Sequence, residues 1–414
     1  MTRLIKEQDF FAPEVLSCPF AFDAEARKEQ PVLKSTSQEN TYIVFSYDLV
    51  KQVLKQPNLY SSKNEQALLG RSVYDESCKA IYKQGWAQVP TLLTNDPPEH
   101  TRFRKLVQRA FMPARIDRLE PFINGVADQL IDSFIDDGHC DFLEQFAGPY
   151  PCTIIANQLG VPISDISKVA TWSTAFLELI GSFLPPEEEQ ERARLVVEYQ
   201  HYMKALLDER RINPQDDMLT DLLNARVDDE RPLDETELLA VSQQLLVAGN
   251  GTTTHTIGAG LWMMIERPEL LAQVRERPEL VDKLVEEVIR VLTPTNSMWR
   301  RATEKSLLGG VEVPQGAMLL LRYGSANRDE KYFESADVID LQRKYGAPSM
   351  AFGAGTHSCI GGVLARKELR CAFLRLSQRM TNIRLADGAK APEYIPNVLL
   401  RGIDGLQIKF DKIA

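Results

Sequence analysis

A mainly helical protein with small β-sheets is the expectation from these 414 residues, and three observations carry it. Apolar residues recur at helical spacing over long stretches, as in LEPFINGVADQLIDSFI (119–135) and DISKVATWSTAFLELIGSFL (165–184). Strand signals are few and short. No Gly/Ser linker or break in composition divides the chain, so residues 1–414 read as one domain.

The elements follow in order. The N-terminus, MTRLIKEQDFFAPEV, carries charges every few residues and lacks the apolar core of a secretory signal or a membrane span. The expectation is a cytoplasmic protein with no membrane anchor. TYIVFS (41–46) reads as a strand, with PVLKST (31–36) as its partner. Helices are expected from Ile116 to Ile135 and over 165–184, the latter followed by an acidic loop, PPEEEQE. Near Asp234 the run DETE offers an N-cap and an acidic first turn. From there a helix of roughly 32 residues, about 48 Å long at 1.5 Å per residue, runs to about Ile265. Its middle, AGNGTTT (248–254), is made of poor helix formers. That run fits either a kink tolerated by packing or a deliberate opening for a ligand. ERPEL occurs at 266–270 and 276–280 and marks two successive helix starts. VEVPQGAMLLLR (311–322) reads as a turn into a strand, and GLQIKF near the C-terminus as another strand.

Net charge is −10, so the basic footprint of a nucleic-acid or anionic-lipid binder is absent. The six cysteines, at 18, 78, 140, 152, 359 and 371, form no CxxC pair. Most read as small buried apolar residues, but Cys359 differs in its neighbours. It lies in MAFGAGTHSCIGG (350–362), just before an amphipathic helix, IGGVLARKELRCAFLRLSQRM. A helix N-terminus favours a thiolate. Gly353, Gly355 and Gly361 allow a tight turn and close approach of a flat ligand to the backbone. A thiolate facing a broad ligand suggests haem iron held by sulfur. Zinc is the weaker rival: His357 and Cys359 supply two ligands, and a structural site wants four.

FGAGTHSCIG (352–361) resembles the cysteine-loop signature of the cytochrome P450 superfamily, Phe-x-x-Gly-x-(His or Arg)-x-Cys-x-Gly. Three further matches stand in the right order along the chain. EVIR resembles the family's Glu-x-x-Arg pair. As residues alone, Glu287 and Arg290 share a helical face and could be an ordinary surface pair. The resemblance implies a buried structural pair joined by Arg343. In DPPEHTRFRKLV (96–107), His100 and Arg104 sit at i, i+4, a ready clamp for a carboxylate. The resemblance implies that they hold haem propionates together with Arg300 and His357. AGNGTT resembles Ala-Gly-x-(Asp or Glu)-Thr-Thr, which places Thr252 on the threonine that hydrogen-bonds bound dioxygen and steers protons. Gly251 stands where the family has an acid. Water, Asn250 or another carboxylate would then have to relay protons, or the enzyme is slow, or the glycine is an engineered substitution.

The resemblance implies the P450 fold, with haem b (iron protoporphyrin IX) between the long central helix and the helix after the cysteine loop. Cys359 would be the metal ligand and Phe352, Gly353 and Gly361 its frame. It further implies a monomeric monooxygenase that uses O2 and hydroxylates a hydrophobic small molecule. Electrons from NAD(P)H would arrive through a separate ferredoxin and its reductase, docking near Arg109, Arg366 and Lys367. Two alternatives are a peroxide-driven peroxygenase and a haem-based ligand-binding protein without turnover. By analogy the pocket draws on Tyr82, Trp86, Leu245, Val247, Ala248, Ser297, Met298, Trp299 and Leu399, an apolar lining that suggests a terpenoid or steroid.

Overall fold

The computed structural model describes residue 5 and residues 8–63, 76–181, 184–227 and 230–413. Helices dominate, and the sheets are small. The chain clusters into two compact units. One comprises Met1–Ser62, Ala127–Ala147 and Thr252–Ala414, and the other Lys63–Val126 and Gly148–Gly251.

Among the described residues, the first unit holds every sheet. In a five-stranded sheet, Thr41–Val44 pairs antiparallel with Val32–Lys34 and parallel with Met318–Arg322. Ser297–Ala302 follows, antiparallel to Met318–Arg322, and Tyr60–Ser61 closes the edge. Val44, Leu319 and Leu321 are fully buried in the core beneath it. A hairpin, Ser306–Leu308 with Val311–Val313, turns through Gly309 and Gly310, both at positive φ, as a two-residue loop of this kind requires. The strand expected at the C-terminus, Gln407–Lys412, pairs with Met380–Leu385 and His139–Asp141.

Behind these sheets the helix Val281–Leu292 carries Glu287 and Arg290, both fully buried. Arg290 donates from Nε and Nη2 to the two Glu287 oxygens at 2.8 and 3.0 Å, and Arg343 Nε donates to Oε2 at 2.9 Å. Arg290 also donates to the carbonyls of Asn327, Ala336 and Val338. Burial alone would raise the Glu287 carboxyl, but the two guanidiniums and the Asp340 N–H overcome it and hold it below the usual range.

Three local expectations need correcting or trimming. The single helix expected over 116–135 is two, Pro113–Arg118 and Glu120–Asp132, because Pro121 has no N–H to continue the hydrogen-bond ladder. The acidic loop is not a loop: PEEE begins the 27-residue helix Pro186–Ile212. Proline suits the first helical position and the glutamates complement the positive dipole end. The helix expected over 165–184 spans Ile166–Gly181, and the end of that expectation at 182–183 lies outside the described residues.

The central helix is an uninterrupted α-helix, Glu235–Glu266, despite its poor formers. Its start is a reciprocal capping box. Asp234 Oδ1 accepts from the Glu237 N–H at 2.9 Å, and Glu237 Oε2 accepts from the Asp234 N–H at 3.0 Å.

Candidate functional site

The cysteine loop is built by its glycines. Gly353 and Gly355 have φ of +64° and +69°, a region closed to most side chains. Gly361 has φ −83°, which any residue adopts, so the turn does not require a glycine there. The loop folds back so that the Cys359 N–H donates to the Phe352 carbonyl at 2.8 Å. The helix Gly362–Arg379 begins three residues after the cysteine. Cys359 is exposed, whereas Cys140 and Cys152 are buried and burial pushes their thiols up to about 12. A Cβ on Gly355 would lie 2.6 Å from the Leu54 carbonyl oxygen, a backbone atom that cannot turn aside. Gly355→Ala is therefore expected to cost at least the 1–2 kcal/mol typical of a left-handed alanine, roughly, and to loosen the loop. A lowered unfolding midpoint in urea, with weaker haem retention, checks this.

Around the loop, Ser62 Oγ lies 2.9 Å from His357 Nε2. Arg300 is 5% exposed, and its Nη1 donates to the Trp299 carbonyl at 2.7 Å. Tyr323 is buried beside it: burial raises the phenol, and the neighbouring Arg300 opposes that. The same hydroxyl lies 3.8 Å from where a Gly353 Cβ would be, so Arg300, Tyr323 and the cysteine loop form one cluster.

This set fits a haem. The exposed thiol stands on a loop whose backbone can approach a flat ligand closely. Arg300 is a buried cation with no carboxylate at ion-pairing distance among the described residues, and such a charge calls for an anion. A haem propionate is an anion of the right kind. Among the described residues, no group of three or more His, Cys, Asp or Glu is placed to hold a bare metal ion, which leaves the zinc reading without a ligand set.

In the second unit, His100 and Arg104 lie on the helix Glu99–Val107, His100 buried and Arg104 half-buried. The middle of the central helix has a distinct open face. Ala248 is exposed and Thr252 and His255 are half-buried, while Asn250, Gly251 and Thr253 are buried. Thr252 thus keeps accessible surface, and its carbonyl accepts from Thr256 Oγ1 at 2.7 Å. The Asn250 amide donates to Ser173 Oγ at 2.8 Å, so one donor of that side chain is committed to the neighbouring helix. A Cβ on Gly251 would lie 2.8 and 3.0 Å from the two methyls of Leu177. A side chain fits at 251 only if Leu177 moves. Four residues along, the His255 ring occupies the place of a Cβ on Gly402, which would lie 1.9 Å from Nδ1. Burial lowers the affinity of that imidazole for a proton.

The pocket residues fall in different settings. Leu245 and Leu399 are buried, and Val247, Met298 and Trp299 half-buried. Trp299 stacks on Phe11. Ser297 is fully buried and accepts from Arg322 at 2.7 Å. Tyr82 borders a cavity of about 290 Å³ with Lys79, Lys83 and Gln88. The Trp86 indole N–H donates to Glu235 at 3.1 Å, and its backbone pairs with the Gln200 amide in both directions at 2.9 Å. Sequence reasoning missed Ser62, Tyr323, Leu177 and Gln200. Nothing local marks them, since each acts across a long loop closure.

The family model described as Cytochrome P450 matches residues 162–410. The chain is 32% identical to cytochrome P450 107B1 of Saccharopolyspora erythraea, over 92% of this chain and 93% of that one. It is 39% identical to mycinamicin IV hydroxylase/epoxidase of Micromonospora griseorubida, over 75% and 77% respectively. Among solved structures it resembles CYP109E1 from Bacillus megaterium in complex with testosterone, with a TM-score of 0.82 and 30% identity, covering 94% of this chain and 99% of that one.

Proposed function

We propose, since this chain belongs to the cytochrome P450 family of haem-dependent monooxygenases, that it hydroxylates a bulky hydrophobic molecule of the steroid, terpenoid or macrolide kind, with electrons from a separate ferredoxin. The observation that carries the reading is the exposed Cys359 on its glycine-built loop, beside the buried Arg300, which has no carboxylate at ion-pairing distance among the described residues. The substrate class rests on the apolar residues named for the pocket, and on similar proteins named for mycinamicin IV hydroxylation and for a testosterone complex.

In this reading Cys359 Sγ ligates the iron, and His100, Arg104, Arg300 and His357 hold the propionates. The bound haem supplies reductive activation of dioxygen and transfer of one oxygen atom to a C–H bond. The chain supplies orientation, exclusion of water and protons. Thr252 Oγ1, on the accessible face of the central helix, would pass on the two protons that each turnover consumes, drawing each from water. Gly251 has no acid to give, and Leu177 occupies the space that side chain would need. Phe352 fixes the turn of the loop, its carbonyl accepting the Cys359 N–H. Partner docking falls to Arg109, Arg366 and Lys367. Arg366 is exposed, already paired with Glu286 and stacked over Phe352 at 4.3 Å, so an incoming acidic group would compete with Glu286.

A Soret-shift screen of the purified ferric protein against steroids, terpenoids and macrolactones tests the substrate class. Absence of any shift or product across all three would overturn it. Thr252→Ala is expected to lower product formed per NADH consumed, with ferredoxin and its reductase, by about tenfold or more. Turnover fed by hydrogen peroxide should change far less. The missing acid gives a peroxide-driven peroxygenase some support. Faster wild-type turnover with peroxide than with ferredoxin and NADH would favour it.

A further inference from the structure

The helix that carries His100 and Arg104 is fastened from behind. At 3.6 residues per turn, Arg102 points about 200° away from each of them. It is nearly buried, and its guanidinium is fully engaged. Nη1 and Nη2 donate to the two oxygens of Glu237 at 2.8 and 2.9 Å, the planar two-point pairing that fixes orientation as well as distance. Nε and Nη2 also donate to the carbonyls of Arg231 and Pro232 at 3.2 and 2.9 Å. Glu237 is equally committed. It accepts from Arg231 at 2.6 and 2.8 Å and from the Asp234 N–H that closes the capping box. Burial alone would raise its carboxyl, but the bonds from Arg102, Arg231 and Asp234 bring it down to about 2. One carboxylate therefore ties the first turn of the central helix to the back of the Glu99–Val107 helix.

We infer that Arg102 and Glu237 are positioning residues for cofactor binding, setting the rotation and depth of the helix that presents His100 and Arg104. The inference rests on the reading that these two side chains hold the haem carboxylates. A bidentate lock suits this task because it resists rotation about the helix axis, and a clamp at i, i+4 fails when its helix rotates. The cap half of the lock involves only Asp234 and Glu237. The half that acts on the clamp is Arg102, so the two can be separated.

The test is the rate at which haem leaves the ferric holoprotein for an excess of an acceptor apoprotein. Glu237→Gln is expected to speed loss about tenfold, the equivalent of about 1.4 kcal/mol. The position of the Soret band should stay unchanged, since Cys359 is untouched. In a His100→Ala/Arg104→Ala background, Glu237→Gln is expected to add nothing, because no clamp remains to position. Equal acceleration in both backgrounds means general destabilisation and overturns the inference, as does no acceleration in either. If His100→Ala/Arg104→Ala itself leaves the rate unchanged, the clamp reading fails first and the inference falls with it. Should Glu237→Gln fail to fold, Arg102→Lys keeps the charge and the capping box while removing the two-point pairing and the bonds to the Arg231 and Pro232 carbonyls, and the same comparison is read from it.

Discussion

Alanine at position 359 leaves a folded protein that has lost its sulfur ligand. The expected result is a reduced carbon-monoxide adduct without the red-shifted band diagnostic of thiolate ligation, and no hydroxylation with either ferredoxin or peroxide. The Cys359 side chain lies outside the protein core, so its removal opens no cavity there. The thermal midpoint of the holoprotein is expected to fall as haem is held less tightly, while the haem-free protein keeps its midpoint, which separates loss of the ligand from loss of the fold. Persistence of either the band or the product would remove Cys359 from the site.

Glu287→Ala is expected to have the largest effect on stability. It leaves Arg290 and Arg343 buried without their shared carboxylate. Breaking a buried pair by removing one partner costs about 3–5 kcal/mol. Typical domain stabilities are about 5–15 kcal/mol, so much of the folded population is at risk. Urea unfolding followed by circular dichroism measures the shift. The pH dependence has a defined sign. The folded Glu287 carboxyl lies below its unfolded value, so its contribution is fully present above the unfolded value of 4.5 and is lost as pH falls through the folded one. The gap in midpoint between the wild type and Glu287→Gln therefore narrows as the solution is acidified from neutrality. A constant gap down to strong acid would show that the charge of Glu287 is not what stabilises the fold.

Much of the fold was legible because its signals are local. The strand TYIVFS, the capping box at Asp234, the two ERPEL starts and the long central helix each depend on a few adjacent residues. The differences are local as well: Pro121 breaks the helical run after Arg118, and Pro186 opens a helix where the sequence suggests a loop. The candidate site divides along the same line. The loop around Cys359 is one short run of sequence, so residue type and spacing were enough to find it. The pairing of Arg102 with Glu237 spans 135 positions, and that of Ser62 with His357 spans 295. Neither residue type nor spacing announces such partners. Gly251 read as a missing acid, and only the packed helices identify Leu177 as the group that has taken its room.

A side chain at 251 and the Leu177 side chain claim the same space, so the two positions are coupled. A carboxylate introduced at 251 while Leu177 stays in place must first displace a methyl group, so its worth is masked by crowding. Shortening residue 177 first opens the space, and the same carboxylate then arrives unhindered. Substitutions scored at 251 alone thus include the displacement of Leu177 and understate what an acid there contributes once residue 177 is shortened.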